Sequence, residues 1–213
     1  AEQVMAYILY FARRVDLQSA DMHDHCWNSR LMPGAKNHTI GLVGFGGIGT
    51  EVAKRAVPFG MKVIYFCRHP NPADDAAYGV QSVSMEELLK ESDYVVAAVP
   101  LTDQTFHLFN EERIAQMKAG SVLINIARGP VVDEEALAQA LASGHLGGCA
   151  VDVFPKEPCT NSVLTRYANA LLTPHSATST AENSKATNFA AANNLVNYLK
   201  KDIDAKYVVV QGT

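Results

Sequence analysis

The feature that most constrains this chain is a glycine-rich turn between an apolar run and a helix-like run. Gly44, Gly46 and Gly49 follow the apolar run Thr39–Val43 and precede residues 50–59, which have the pattern of a helix. In such a turn the first glycine allows the sharp bend, the second lets the backbone approach a pyrophosphate, and the third lets the helix pack closely. The pattern therefore predicts a dinucleotide site with the anion at the helix N-terminus. The alternative is a glycine-rich surface turn, which would require that the flanking residues form neither the strand nor the helix that their patterns indicate.

Composition bounds the other possibilities. With 213 residues and 48% hydrophobic side chains, the chain suits one large domain or two small ones. A net charge of −4 without a long basic run gives no reason to expect nucleic acid. The cysteines form no CxxC pair, which indicates reduced thiols and predicts a cytoplasmic protein. They are Cys26, Cys67, Cys149 and Cys159.

Two segments near the N-terminus carry further expectations. His23, His25 and Cys26 lack a second ligand pair, so we predict a polar loop and no metal. Residues 4–12 are too short to cross a bilayer and precede a basic pair instead of following it, so no membrane or targeting segment is predicted. A helix there would be apolar on every face and would need another domain or subunit to cover it. Because the chain starts at Ala1 inside this helix, we expect sequence upstream.

After the glycine turn, apolar strands alternate with helix patterns. The predicted strands are Lys62–Phe66 and residues 80–83, 94–99, 121–126, 148–153 and 170–173. The predicted helices are residues 84–91, opened by a Ser-x-x-Glu capping box, and residues 110–117, 134–143 and 181–201. A proline-rich loop holds Pro70 and Pro72. This order predicts an α/β fold of Rossmann type, a doubly wound parallel sheet in three αβα layers.

The same order divides the chain into segments. Residues 1–38 are predicted as a helix and loop between domains or at a dimer interface, and residues 39–175 as the Rossmann core. Residues 176–213 are predicted as a closing helix and a tail, with a candidate extended segment at residues 207–210.

The end of the second strand bears on the choice of cofactor. NAD sites usually carry an acid there for the ribose 2′-hydroxyl. This chain has Cys67, Arg68 and His69 instead. Without the carboxylate a 2′-phosphate is not repelled, and the Arg68 guanidinium matches phosphate oxygens, so NADP is favoured. The alternative is that Arg68 is a solvated loop residue and NAD binds through main-chain contacts.

Three candidate catalytic residues each follow a predicted strand. They are Arg128, Glu157 and His175. Each alone could be an ordinary loop residue. Together at the carboxyl edge of one sheet, they supply a cation for a substrate carboxylate, an acid–base imidazole and a carboxylate that raises the proton affinity of that imidazole.

Several motifs in order indicate a family. They are the glycine turn at residues 44–49, Val99-Pro100-Leu101-Thr102 with residues 105–108, Asn125-Ile126-Ala127-Arg128-Gly129, Asp152-Val153-Phe154 with Glu157-Pro158, and Thr173-Pro174-His175. By these motifs the chain resembles the D-isomer-specific 2-hydroxyacid dehydrogenases. Because Arg68 stands where an acid is usual, it is most similar within that family to the NADPH-preferring glyoxylate and hydroxypyruvate reductases.

The resemblance implies a role for each matching residue. A nicotinamide cofactor would deliver hydride to the keto carbon of a small 2-oxo acid while His175 protonates the oxygen. Glu157 would pair with His175, Arg128 would bind the substrate carboxylate, and Asp152 would contact the nicotinamide carboxamide. The implied cofactor-binding residues are Gly44, Phe45, Gly46, Gly47, Ile48, Gly49, Cys67, Arg68, Val99, Pro100, Thr105, Ile126, Ala127, Asp152 and His175.

The resemblance also predicts what lies beyond this chain. Members of the family have a smaller substrate domain ahead of the nucleotide domain, and it is absent from these residues. Members also form homodimers through the nucleotide domain, which would cover the apolar helix at residues 4–12. The alternative function is a dimeric NAD(P)-binding sensor without turnover, similar to the corepressors that share this fold.

Overall fold

The structure is a computed structural model, and it describes residues 1–204 and Tyr207. The chain divides into two compact units, Ala1–His175 and a second unit that begins at Ser176. The second unit contains helix α8, Ala181–Leu199, as the sequence predicts. Its N-terminus is capped by Thr180, whose hydroxyl accepts a hydrogen bond from the Asn183 amide. Apart from Tyr207, the candidate extended segment at residues 207–210 lies outside the described residues.

The first unit is built on a seven-stranded sheet in which all paired strands are parallel. The strands are β1 (Thr39–Val43), β2 (Lys62–Phe66), β3 (Gln81–Ser82), β4 (Tyr94–Ala97), β5 (Val122–Asn125), β6 (Gly148–Val151) and β7 (Ala170–Leu172). Their order is β3-β2-β1-β4-β5-β6-β7. The strand order reverses between β1 and β4, and ligands of such sheets bind in the crevice at that point. The Rossmann-type prediction is confirmed.

Helices cover both faces of the sheet. In the first unit they are α1 (Glu2–Arg13), α2 (Val15–His23), α3 (Gly47–Ala56), α4 (Pro72–Tyr78), α5 (Met85–Glu91), α6 (Glu111–Gln116) and α7 (Glu134–Ala142). Short 3₁₀ turns occur at Val57–Phe59, Gly129–Val131 and Val163–Arg166. One buried cluster joins α5, α6 and α7 to the sheet, and the other joins α1 and α3 to the opposite face. Residues of β1 alternate between them, because successive strand side chains point to opposite faces.

Several element boundaries differ from the sequence prediction. The proline-rich loop contains α4, which begins at Pro72 after the Asn71 cap, a position where proline's missing N–H costs nothing. Helix α3 begins at Gly47, three residues before the predicted start at Thr50, because the helix starts within the glycine turn. It is followed at Val57 by a 3₁₀ turn that contains Pro58. Helix α2 was not predicted, and none of its residues is buried.

Only one face of α1 is covered within the first unit. Val4, Tyr7 and Ile8 are buried in the cluster that also contains α3. Ala6 is exposed, and Leu9 and Tyr10 are half-buried. The expectation that another domain or a second copy covers the remaining face therefore stays a prediction.

The glycine at the end of β1 has a structural reason for its identity. Gly44 has φ of +102°, and a Cβ added there would overlap the carbonyl of Ala98, just beyond β4. Any other residue would be strained in this conformation and would also push apart the ends of two neighbouring strands. The tight turn therefore depends on glycine at this position.

Candidate active site

The N-terminus of α3 faces open space. A Cβ added at Gly46 or Gly47 would meet no heavy atom within 4 Å. Among the described residues, the amides at positions 46–49 make no hydrogen bond. Gly49 packs the helix against the turn, because its added Cβ would lie 2.7 Å from the Gly44 carbonyl oxygen. Unpaired amides at a helix N-terminus, with room beside the backbone, form a site for an anion.

The two apolar side chains of the turn point to different places. The Phe45 ring stacks on Tyr65 of β2 with their centroids 4.1 Å apart, so it belongs to the core of this unit. Ile48 is 48% exposed and lines an open groove of about 810 Å³. The groove is otherwise lined by Ala98, Val99, Pro100, Leu101, Ile126, Ala127 and Arg128. It thus joins the turn after β1 to the loops after β4 and β5.

Thr105 lies outside the residues that line this groove. Its hydroxyl donates to the Pro100 carbonyl, with an oxygen–oxygen distance of 2.6 Å, and accepts from the Thr102 amide at 2.8 Å. Thr105 therefore shapes the loop after β4 and acts on the groove through Pro100.

Beyond the end of β2, Cys67 is partly buried and Arg68 is exposed. Within the described part of the chain, the Arg68 guanidinium has neither a hydrogen bond nor a salt bridge. Its donors are available to a ligand at the end of β2.

Glu157 and His175 form the central pair of the site. The Nδ1 atom of His175 lies 2.6 Å from Oε2 of Glu157. The other carboxylate oxygen of Glu157 accepts a hydrogen bond from the Phe154 amide at 2.9 Å. With Nδ1 engaged, Nε2 is the nitrogen of His175 through which a proton can pass to a substrate.

The charge state of Glu157 follows from these contacts. The hydrogen bond from His175 holds the pKa of Glu157 below its ordinary value, with smaller contributions from the Phe154 amide and the charge of Arg128. The ordinary carboxyl pKa of Glu in an unfolded chain is about 4.3. At pH values above it, the lowered pKa of Glu157 contributes to the stability of the folded chain. This contribution is lost as the pH falls through the lowered pKa. Glu157 is therefore ionised near neutral pH and can hold the imidazole.

Close backbone contact joins the loops that carry Arg128 and Glu157. A Cβ added at Gly129 would overlap the main chain of Phe154 and Pro155. Arg128 itself is exposed, and its Nη1 atom donates to the Ala127 carbonyl at 2.6 Å. Glycine at position 129 therefore lets the loop after β5 lie against the loop after β6.

A buried carboxylate lies at the end of β6. Asp152 is 1% exposed, and its Oδ1 accepts a hydrogen bond from the Thr173 hydroxyl at 2.5 Å. The Thr173 hydroxyl lies at the same distance from the Tyr7 hydroxyl, on α1. The Asp152 carbonyl also accepts the His175 amide at 2.7 Å. Asp152 thus contacts the segment that carries the imidazole.

The structure brings most of the predicted residues to one edge of the sheet. His175, Glu157 and Asp152 are connected by direct hydrogen bonds or through one main-chain segment, and Arg128 adjoins them through Gly129. Sequence reasoning predicted the Val99–Leu101 turn as lining the cofactor site, but it missed Ala98. It also missed the contact between Tyr7 and Thr173, because these residues are 166 positions apart in the sequence.

Comparison with known proteins identifies the family. The family model for the NAD binding domain of the D-isomer specific 2-hydroxyacid dehydrogenases matches residues 5–177. The chain belongs to this family. A glyoxylate reductase of Thermococcus litoralis is 38% identical over 217 aligned residues, which cover 98% of this chain and 66% of that protein. This chain thus spans just under two thirds of that relative's length.

Solved structures agree with this assignment. A D-lactate dehydrogenase from Aquifex aeolicus, complexed with NAD and lactic acid, has a TM-score of 0.86 and 31% identity, and the match covers 94% of this chain and 66% of that one. An NAD-dependent formate dehydrogenase from Staphylococcus aureus, in complex with NAD, has a TM-score of 0.88 and 28% identity, over 100% and 65% of the two chains. This chain carries the NAD-binding domain of its family.

The residues present fit a dinucleotide. The open amides of the glycine turn suit a pyrophosphate, and the groove that starts at Ile48 runs past Val99 toward Arg128.

Among the described residues, no group of three His, Cys, Asp or Glu side chains is placed to hold a metal ion. No helix in the described ranges has both the length and the hydropathy to cross a membrane.

Proposed function

We propose that this chain is the cofactor-binding and catalytic part of an NAD(P)-dependent oxidoreductase that reduces a small 2-oxo acid such as glyoxylate or hydroxypyruvate. The observation that carries the proposal is the His175–Glu157 pair, beside the loop of Arg128 and at the edge of the sheet where the glycine turn lies. Relatives called glyoxylate reductase support the choice of substrate class.

In this proposal the cofactor supplies the hydride, and the residues of the chain supply the rest. Glu157 holds Nδ1 of His175, so that Nε2 gives a proton to the ketone oxygen during reduction and takes it back during oxidation. Arg128 binds the substrate carboxylate and polarises the carbonyl. Asp152 would accept a hydrogen bond from the nicotinamide carboxamide of a bound cofactor.

The preference for NADPH rests on Arg68. Its guanidinium is exposed directly after β2 without a partner among the described residues, and no carboxylate follows the strand. A 2′-phosphate would meet a planar donor group directly after the strand, where the sequence has no acid. The solved relatives with bound NAD support the wider statement, that a dinucleotide binds here.

Replacing Arg68 by alanine is expected to raise the Kd for NADPH about 10- to 100-fold and to leave the Kd for NADH within about twofold, because a charge-assisted contact with phosphate is lost. Titration calorimetry measures both constants. Lys62→Ala is the matched control, since Lys62 is an exposed cation at the opposite end of the same strand. Equal weakening of both cofactors in Arg68→Ala would contradict the phosphate contact.

Replacing Glu157 by glutamine is expected to lower kcat about tenfold, a moderate effect because the pair with His175 is solvent-exposed and screened. Glutamine keeps the shape but not the charge that favours a protonated imidazole. Steady-state kinetics in the reductive direction measures kcat, and an unchanged kcat would show that the carboxylate does not support the imidazole.

The direct test is the loss of NADPH absorbance when the complete protein, with the family's smaller substrate domain, is mixed with glyoxylate or hydroxypyruvate. Turnover with either substrate, abolished by excess product analogue, is expected. Normal cofactor binding without turnover would overturn the reductase and favour the dimeric sensor. The sensor would change its dimerisation or its partner binding when the cofactor binds, even after His175→Ala.

Homodimerisation and a cytoplasmic location complete the proposal. The half-buried Leu9 and Tyr10 give α1 an apolar face for a second copy. The four cysteines are free thiols, and a reducing compartment keeps them so.

A further inference from the structure

A hydrogen-bonded relay connects α1 to the candidate active site. It runs from the Tyr7 hydroxyl through the Thr173 hydroxyl to the Asp152 carboxylate, with both oxygen–oxygen distances at 2.5 Å. The three residues belong to three different parts of the first unit: helix α1, the loop after β7 and the loop after β6. Their side chains therefore meet only through the tertiary fold.

The chemistry of the hydroxyl groups gives the relay a direction. A threonine hydroxyl has one proton to donate. Thr173 donates that proton to Asp152, so it can only accept from Tyr7. Tyr7 is thus the donor to Thr173, and burial supports this role because it raises the pKa of the phenol and keeps it protonated. Tyr7 is only 2% exposed, which leaves water little access to replace its hydroxyl.

The same segment also carries the catalytic imidazole. Thr173 is two residues before His175, whose amide donates to the Asp152 carbonyl at 2.7 Å and to the Thr173 carbonyl at 3.0 Å. His175 has φ of +50°, an uncommon conformation that its surroundings must maintain. A hydroxyl that fixes the Thr173 side chain therefore holds both the Asp152 carboxylate and the start of this strained segment.

We propose that Tyr7 is a positioning residue, which acts through Thr173 to orient the Asp152 carboxylate for the nicotinamide end of the bound cofactor. The inference rests on the proposed function, in which Asp152 contacts the nicotinamide carboxamide. It adds that helix α1 contributes to the cofactor site without touching the cofactor. Loss of the Tyr7 hydroxyl alone would therefore be felt at the nicotinamide end, while the pyrophosphate site at the α3 N-terminus would not be affected.

The test compares the whole cofactor with a fragment that lacks nicotinamide. Calorimetry gives the Kd of NADPH against 2′-phospho-ADP-ribose, and of NADH against ADP-ribose. For Tyr7→Phe we expect the Kd of the whole cofactors to rise about two- to tenfold, the loss of one net hydrogen bond. The fragments should bind as they do to the wild type. Tyr10→Phe, on the half-buried side of the same helix, is the matched control and should change neither.

A second pair of variants separates the hydroxyl from packing. Thr173→Ser keeps the relay and should retain the wild-type difference between cofactor and fragment, whereas Thr173→Val should lose it as Tyr7→Phe does. Equal weakening of cofactor and fragment, or no change in either, would overturn the positioning role. Failure of the wild type to bind any of the four ligands would instead overturn the proposed function itself.

Discussion

His175→Asn is expected to lower kcat about 10²- to 10⁴-fold in both directions, because the variant removes the group that exchanges a proton with the ketone oxygen. Asparagine is the suitable replacement, since it tolerates the left-handed conformation of His175 better than alanine does. The cofactor should still bind, with its Kd changed by less than about threefold, the scale of a lost neutral contact. Steady-state kinetics and calorimetry measure the two quantities.

His107→Asn is the matched control for this variant. His107 also has a positive φ, of 47°, and also pairs with a carboxylate, the Asp133 side chain at 3.6 Å. Its loss should leave kcat within about threefold of the wild type, because it has no role in proton transfer. If His175→Asn retained more than about a tenth of wild-type kcat, general acid–base catalysis by His175 would be wrong.

Gly44→Ala is expected to lower the free energy of unfolding by about 2–4 kcal/mol, the combined cost of a strained positive φ and of overpacking. The added Cβ would overlap the Ala98 carbonyl, which lies between β4 and the cofactor groove. Denaturant unfolding measures the change. Cofactor binding should be lost as well, since the turn after β1 cannot keep its shape.

Variants of two other glycines separate the cost of the positive φ, the cost of overpacking and the effect on cofactor binding. Gly120 also has a positive φ, of +80°, but an added Cβ there would meet no atom within 4 Å, so Gly120→Ala should cost only about 1–2 kcal/mol. Gly46 has open space around it, so Gly46→Ala should fold normally and yet weaken cofactor binding at least about tenfold by blocking the pyrophosphate. If Gly46→Ala bound the cofactor like the wild type, the pyrophosphate would lie elsewhere.

Much of the fold was predictable because it depends on local patterns. The parallel strands are continuous apolar runs, since both of their faces are buried, and they were located with errors only at their ends. Those ends were predicted too long where apolar residues such as Val99 and Ile126 leave the sheet and line the groove. Residue type alone does not distinguish an apolar residue that lines a binding groove from one in a buried strand.

The errors have equally specific causes. Helix α4 was predicted as a loop because Pro70 and Pro72 suggested a break, whereas proline at the first helical position is compatible with a helix. The start of α3 was predicted too late, because glycine is a poor helix former. In the structure the helix nevertheless begins within the glycine turn, at Gly47. Helix α2 has no buried residue, and so its sequence has no apolar face to recognise.

The sequence by itself determined the Rossmann-type class and the glycine turn, and it predicted Arg128, Glu157 and His175 as candidate catalytic residues, because each depends on residue type and order along the chain. Only the tertiary structure decided which of them meet. It brought His175 to within 2.6 Å of Glu157, and it left Thr105 to shape a loop. It also connected Tyr7 to Asp152, which no periodicity could indicate, because hydrogen bonds between distant side chains depend on how the helices and loops pack.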